Sequence, residues 1–469
     1  MPTPSTVLLA AIVSALEPAT DRTYRGPTTP ELDAGATTHD DASLAAHDET
    51  TASPREPAAS AATASATAPP PSPPPAATSE PIVSPTLLGE IDARTLGDAV
   101  EGTDGFALGR FRLGARVRPA PWFDAVATLE TVGTAVPYLL DGYVVFRPQA
   151  WLEIGAGYAK TPLFPSFRYE PVHALPFPDR APVVNAMRVR RDVGAEVRVR
   201  PERAPIEAVV RAGNGSGGLS SNDNRTPAGY AAVDLVLGRA WVAGHNRRLG
   251  LRLGAAGLVD EAPDRAANSG RIASGYTFWK GGPTRGRRLV GELHAVAYLG
   301  PVRITAEAGF ADEARTAIDD DADAETPRVT LPSLRSWGLT GEIAWVVLGT
   351  PREVGRAPAA RAAADAPWDG GALELALRVD RLALGHHAGD VADGGVTGGA
   401  LAMKWWPVDF LAVALAGYVS HYDQAPMDSP GRTLSWMAMA RLSAFFGYPG
   451  QSNRFRAARP RAPRRRTRA

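Results

Sequence analysis

The sequence predicts an all-β chain whose central region closes into a transmembrane antiparallel β-barrel of about sixteen strands. A disordered N-terminal linker and a basic C-terminal tail flank that region. Three observations predict the fold. Apolar and polar residues alternate with the period of a strand, again and again, between residues 86 and 446. The connections between these segments are short and long by turns. Charged residues fall at mid-strand on the polar faces, where a soluble sheet and a barrel lumen are both open to them but only the lumen pairs charge across a closed space.

The stretch "GPVRITAEAGF" shows the alternation most cleanly. Val302, Ile304, Ala306, Ala308 and Phe310 share one face, and Arg303, Thr305, Glu307 and Gly309 share the other. A soluble sheet turns the polar face to water, whereas a barrel in lipid turns the apolar face outward. The same pattern recurs. In "RFRLGARVR", Phe111, Leu113, Ala115 and Val117 oppose Arg110, Arg112, Arg116 and Arg118. In "DVGAEVRVR", Val193, Ala195, Val197 and Val199 oppose Asp192, Glu196, Arg198 and Arg200. "GALELALRVD" and "TLSWMAMARLSAFF" repeat it near the end of the region. The apolar faces are rich in Ala, Gly and single Leu or Val, a thin supply for a soluble core. The inside-out reading is therefore preferred.

Composition narrows the classes. The 469 residues carry 50 Lys and Arg against 50 Asp and Glu, a net charge of zero, which argues against nucleic-acid binding by the whole chain. Cysteine is absent, so disulfides, thiolate catalysis and Cys-based metal sites are excluded. No apolar run reaches the roughly 18 residues of a membrane-spanning helix. The nearest, "WWPVDFLAVALAGYV", is broken by Pro407 and Asp409. Barrel strands need only about 9–11 residues with half of them apolar.

Taken in order, residues 1–20 contain "VLLAAIVSALEPA", which reads as the apolar core of a secretory signal without its usual basic lead. Residues 21–85 are Ala, Pro, Ser and Thr with scattered acids, a composition that buries too little apolar surface to offset chain entropy. Residues 86–446 form the barrel region. Its short connections are "PAP", "RPQA", "RPERAP", "GP" and "WPVD"; its long ones include "NGSGGLSSNDNRTP", "ADEARTAIDDDADAETPR" and "HYDQAPMDSPGR". Outer-membrane barrels sort their loops this way, tight turns at one end and long loops at the other. Two places fit poorly: "ASGYTFWKGG" suits a strand or a loop, and residues 350–369 are long where a short turn is due. Residues 447–469 are a basic tail, read as solvated and disordered, with an anionic partner as the alternative.

Several segments, in order along the chain, resemble the phosphate-selective porin O and P family of Gram-negative outer membranes. "FALGRFRLGARVR" is similar to the family's early Arg-rich strand. "LEIGAGYAKTPLF" resembles its Gly–x–Phe–Lys–x–Pro–Phe motif, with Tyr158 in place of Phe and Lys160 retained. "VVRAGNGSG" resembles its strand end at Asn214–Gly215, and "YLGPVRITAEAGF" its Gly–Pro hairpin. "AWVVLGTPRE" resembles its Leu–Thr–Gly–Glu segment, disturbed by Pro351 and Arg352. "GALELALRVDRLAL" and "GGALAMKWWP" are similar to its final strands. The resemblance implies an exported outer-membrane porin, usually trimeric, that passes small anions such as phosphate by passive diffusion and contacts lipid and lipopolysaccharide. It also implies an inward constriction loop at residues 162–186, carrying Arg168 and Arg180. Lysine is restricted to Lys160, Lys280 and Lys404. Arginine would have to supply the anion route, which a bidentate guanidinium can do.

The candidate pore-lining, anion-binding residues are Arg110, Arg112, Arg116, Lys160, Arg168, Arg180, Arg198, Arg252, Arg303 and Arg378. A cationic lumen between low-dielectric walls attracts anions and repels cations. The plainer reading pairs these groups with Glu196, Glu307, Glu374 and Asp380 in structural networks. Removing Arg110, Arg112 and Arg116 together is expected to lower anion selectivity if they line the route.

Other motifs carry less. "GNGSGG" at 213–218 matches a dinucleotide fingerprint literally but precedes a polar loop, not a helix. "DDDAD" at 319–323 lacks the fixed Gly and distal Glu of a calcium loop. "HHAGD" at 386–390 puts adjacent His side chains on opposite faces of a strand. Hydrolase, zincin and Walker motifs do not occur, so neither an enzyme nor a cofactor or metal site is expected. Trp122, Trp151, Trp241, Trp405 and Trp406 near turns read as an interfacial girdle. The competing functions are a closed structural or adhesion barrel and a secreted soluble all-β binding protein.

Overall fold

The fold is that of a computed structural model. It describes residues 83–97, 104–131, 136–215, 217–219, 226–238, 249–273, 275–316, 329–359, 370–426, 429 and 431–447. The signal, linker and tail assignments fall almost wholly outside these residues, as do "DDDAD" and Trp241.

The strands are β1 (Val83–Leu96), β2 (Gly105–Ala120), β3 (Phe123–Thr131), β4 (Tyr138–Gln149), β5 (Leu152–Lys160), β6 (Arg191–Val199), β7 (Ile206–Gly213), β8 (Ala228–Leu237) and β9 (Leu249–Ala266). There follow β10 (Ser269–Arg271), β11 (Thr277–Lys280), β12 (Pro283–Leu299), β13 (Val302–Thr316), β14 (Thr330–Leu348), β15 (Ala372–His386), β16 (Gly394–Val408), β17 (Leu411–Tyr422) and β18 (Leu434–Phe446). All but β10 and β11 form one closed barrel of sixteen antiparallel strands. Closure is made by β1, which pairs with β2 at Leu87↔Leu113 and with β18 at Leu87↔Phe446. With no free sheet edge, every strand backbone is satisfied within the wall, which is what lipid demands.

The alternation is inside out. On β13, Arg303, Thr305 and Glu307 are buried, while Ile304 and Phe310 are 38% and 47% exposed. Leu401 at the middle of β16 is 65% exposed between buried Ala400 and Ala402. Such an outer face would be costly in water and is stable in hydrocarbon, so the barrel spans a membrane. Exposed aromatics gather at both ends of the wall. Trp122, Phe146, Trp151, Trp345, Trp405 and Phe410 mark the turn end, and Phe106, Tyr138, Trp337 and Trp436 the loop end. Trp337 and Trp345 lie eight residues apart on β14. That is about 26 Å of strand before tilt, the scale of the roughly 25 Å apolar band of such barrels.

The short connections are turns at one end. At one of them Gly300 has φ +63° before Pro301, a left-handed conformation in which a side chain would be strained. The long connections gather at the other end.

Three expectations need correction, at β1, β13 and Trp406, and the two places of poor fit are resolved. β1 starts at Val83, so the linker's last residues are strand. β13 continues to Thr316 and absorbs "ADEART", which reads as loop from sequence. "ASGYTFWKGG" belongs to a hairpin, β10 with β11, that is a separate two-stranded sheet within the β9–β12 loop. Trp406 is fully buried and faces inward, so it is no part of a girdle; its neighbour Trp405 takes the outer face. The β14–β15 connection is long although it lies at the turn end, where Val346 N–H donates to Pro301 O at 2.9 Å.

Candidate functional site

The connection from Thr161 to Arg190, between β5 and β6, folds into the barrel. Nearly all its residues are buried. Pro165 and Pro182 open two short helices, α1 (Pro165–Arg168) and α2 (Pro182–Met187), each at a first-turn position where a missing N–H is harmless. Phe164, ahead of α1, sits at φ +54°, a strained value for a residue with a side chain. Its packing explains the conformation. Leu163, Phe164, Val183, Val184 and Met187 form one apolar cluster with wall residues Tyr230, Leu258, Val290, Ala311 and Leu382. The wall makes room with glycine: a Cβ on Gly309 would lie 2.8 Å from Met187 Sδ, and one on Gly338 2.9 Å from Val183 Cγ2.

Charges fasten the rest of the loop. Arg168 donates to Asp234 at 3.0 Å and to Glu207 at 3.1 Å. The Tyr169 hydroxyl donates to Asp234 at 2.7 Å and accepts from Arg252 at 2.8 Å. Ser166 N–H donates to Glu307 at 2.8 Å. Glu170 accepts the Arg303 ion pair at 3.1 Å. Wall cations also reach loop carbonyls: Arg378 to Asp179 O at 2.9 Å, Lys404 to His173 O at 2.7 Å and Leu175 O at 2.9 Å, and Arg441 to Pro178 O.

All ten candidate residues lie on the inner side of the wall or in this loop, but they divide by partner. Arg110 pairs with Glu90 at 2.6 Å, Arg112 with Glu130 at 2.7 Å and Arg116 with both oxygens of Asp124 at 2.9 and 2.7 Å. Arg198 pairs with Glu196 at 2.7 Å, Arg252 with Asp234 at 2.9 Å and Arg378 with Asp380 at 2.9 Å. Arg168 and Arg303 pair as described, Arg303 also with Glu342. Their charge is thus largely neutralised in a network of ion pairs that sets wall and loop in place.

Lys160 and Arg180 differ. Lys160 Nζ donates to Phe167 O at 2.7 Å, and Arg180 donates to Ser166 O at 3.3 Å and Glu170 O at 2.9 Å. Both lie over the Phe167 ring, at 5.1 and 5.4 Å from its centroid. Arg188, absent from the candidate set, is a third, at 4.9 Å. Among the described residues no ion pair joins any of the three to a carboxylate. Burial, with Arg110 beside it, holds the Arg180 guanidinium below its ordinary value; burial and Arg180 do the same to Arg188. Three basic side chains therefore gather around one aromatic face, two of them also donating to loop carbonyls, without a carboxylate ion pair among the described residues.

Sequence reasoning missed Arg188, Arg352, Lys404 and Arg441 as inward cations. Lys404 and Arg441 were visible on polar strand faces; Arg188 and Arg352 lie in connections, where alternation gives no signal. Beneath the loop is a cavity of about 40 Å³, lined among others by Glu170, Arg180, Arg252, Arg303, Glu342 and Arg378. It is room for only about two or three waters.

The remaining motifs have structural roles. Gly215 N–H in "GNGSGG" donates to Asp192 at 2.8 Å, and the described residues after it form bends before β8, not a helix. In "HHAGD", His386 lies 3.2 Å from Asp393 and Asp390 pairs with Arg315.

No family model matches the chain, and no curated protein matches it either. Among solved structures it is similar to the anion-selective porin from Comamonas acidovorans, at 10% identity over 78% of this chain and 99% of that one, with TM-score 0.48. It is also similar to the outer membrane channel DcaP of Acinetobacter baumannii, at 11% identity over 77% and 96%, TM-score 0.47. A third is the in-vitro folded trimer form of OmpT of Vibrio cholerae, at 10% identity over 78% and 99%, TM-score 0.47.

Proposed function

We propose that this chain is a bacterial outer-membrane porin that passes small anions by passive diffusion. The observation that carries the reading is the group of Lys160, Arg180 and Arg188 around Phe167, at the end of β5 and in the loop that folds into the charged lumen. An anion entering there meets a cluster of basic, hydrogen-bond-donating side chains in a low-dielectric setting, which favours it over a cation. The inverted barrel with aromatic rims supports the membrane assignment. The resemblance to the phosphate-selective O and P porins supports phosphate as one such anion, and supports export by the N-terminal signal and a homotrimer in the membrane. Guanidinium groups suit a tetrahedral oxyanion.

The test is the reversal potential of the refolded full chain in a planar bilayer under a KCl gradient, with phosphate then added. Anion selectivity, falling in a Lys160→Gln, Arg180→Gln, Arg188→Gln variant, is the expected result. Equal selectivity in the variant would remove the three cations from the filter.

A second reading is favoured by the near-complete burial of the inward loop. It is a barrel closed for structural or adhesive purposes. A folded, heat-modifiable barrel with no conductance would select it. The exposed apolar wall weighs against a soluble binding protein.

A further inference from the structure

The long connection at the turn end is a second insert into the lumen. Its described part, residues 349–359, is fastened as a closed loop. Thr350 N–H donates to Ala359 O at 3.0 Å, and Ala359 N–H donates to Thr350 Oγ1 at 3.0 Å, so the neck is drawn together. Inside it, Arg356 N–H donates to Glu353 O at 3.1 Å and Arg352 donates to Arg356 O at 3.3 Å. Gly349 and Gly355 take positive φ, +95° and +71°, where the chain reverses.

Glu353 and Arg356 of this insert reach solvent, but its other side is turned into the barrel. Arg352 is buried, ion-paired through both ends of its guanidinium to Glu374 on the inner face of β15, and lies 5.9 Å from the ring of inward-facing Trp406. Ala357 packs on the cluster of Ala372, Trp406 and Ala412. Val354 lines the same cavity as Arg180 and Glu170 of the inward loop. The two inserts, entering from opposite ends, meet at one group: Glu170 holds Arg303 of the wall at 3.1 Å by one oxygen and Arg352 at 3.7 Å by the other.

We propose that residues 350–359 form a second constriction of the pore, at the turn-end exit of the cavity, and that Arg352 is the positioning residue that docks it on Glu374 of the wall, beside Glu170. The inference rests on the pore reading above. An ion then passes two narrowings in series, the Phe167 cation group first and the Val354 side chain after it. The cavity between them is a waiting place with carboxylates and guanidinium groups on its wall. A turn of two residues, as at Gly300–Pro301, would leave that exit open.

Two variants of the full chain test this in planar bilayers, each checked for folding by its heat-modifiable gel mobility. In the first, residues 351–358 are replaced by two glycines, which keeps the Thr350–Ala359 neck. Single-channel conductance is expected to rise about twofold or more, since the narrowest segment sets the resistance of a series path. In the second, Val354→Cys supplies the only thiol, because the chain has no cysteine. An anionic, thiol-specific sulfonatoethyl reagent is expected to lower the conductance of open channels. Parent-like conductance in the first variant, together with no effect of the reagent on the second, would overturn the second constriction while leaving the porin reading in place. Silence of the parent chain and both variants, all folded, would overturn the porin reading and this inference with it. A silent parent beside a conducting glycine variant would support the insert as the element that closes the exit.

Discussion

Single residues decide how closely the inward loop approaches the wall. Gly309 is the clearest case, because Phe164 Cζ and Met187 Sδ occupy the space a Cβ would need, at 2.9 and 2.8 Å. Gly309→Val is expected to lose about 1–3 kcal/mol through overpacking, read as a lower urea midpoint of the folded gel band. Gly417 has open space at the same point, so Gly417→Ala should leave that midpoint unchanged. His173 sets a pH dependence. It lies in the inward loop, stacked on Phe445 at 4.4 Å between centroids. Burial, helped by the charge of Lys404, pushes its pKa down to about 3 from 6.5. The folded state therefore holds this ring neutral where the unfolded chain would protonate it. Its contribution is intact above about pH 6.5 and is lost progressively as pH falls toward 3. His173→Phe should flatten the acid side of the urea-midpoint profile between those values. A profile as steep as the parent's would place the acid sensitivity elsewhere.

At the scale of elements, the inward loop is held by a few charged groups that each serve several partners. Asp234 on β8 receives Arg168, Tyr169 and Arg252, and lies 2.8 Å from His294 Nε2. Removing one partner from a buried network leaves the others unpaired, at about 3–5 kcal/mol. Asp234→Asn is expected to release the loop before the barrel: new protease cleavage between residues 161 and 190, with the gel shift of the barrel retained. Cleavage confined to the loops at the barrel rim would show that the apolar cluster alone suffices. Leu163, Phe164, Val183 and Met187 bury their side chains there, each worth about 1.5–3 kcal/mol.

The whole molecule is stable only in lipid, because its large apolar side chains point outward. Leu401 lies at the middle of that band. Leu401→Arg is expected to lower barrel stability by about 2–4 kcal/mol, measured by urea titration in vesicles. Ala400→Ser, one residue away but facing the lumen, should change it far less. Equal effects would contradict the inverted arrangement. Closure through β1 and β18 also makes the barrel cooperative: no strand is an edge, so loss of one hairpin opens the whole ring.

The sequence by itself determined the strands and their faces. Alternation with period two is a local property, so Arg303 and Ile304 could be assigned to opposite faces before any contact was known. It also determined which connections are turns, since Gly, Pro and length act locally. It misjudged ends, as at Thr316, because ladder pairing continues past the point where apolar residues stop. The site was legible only in part. Lys160 and Arg180 stood out as cations near a motif, but so did Arg110, Arg112 and Arg116, which the fold neutralises with Glu90, Glu130 and Asp124. Which cation keeps its charge depends on which carboxylate lies across the lumen, and that is a property of closure. The insertion of residues 350–359 was equally hidden: a long connection has no period to read, and only the tertiary structure brings Arg352 to Glu374 and Glu170.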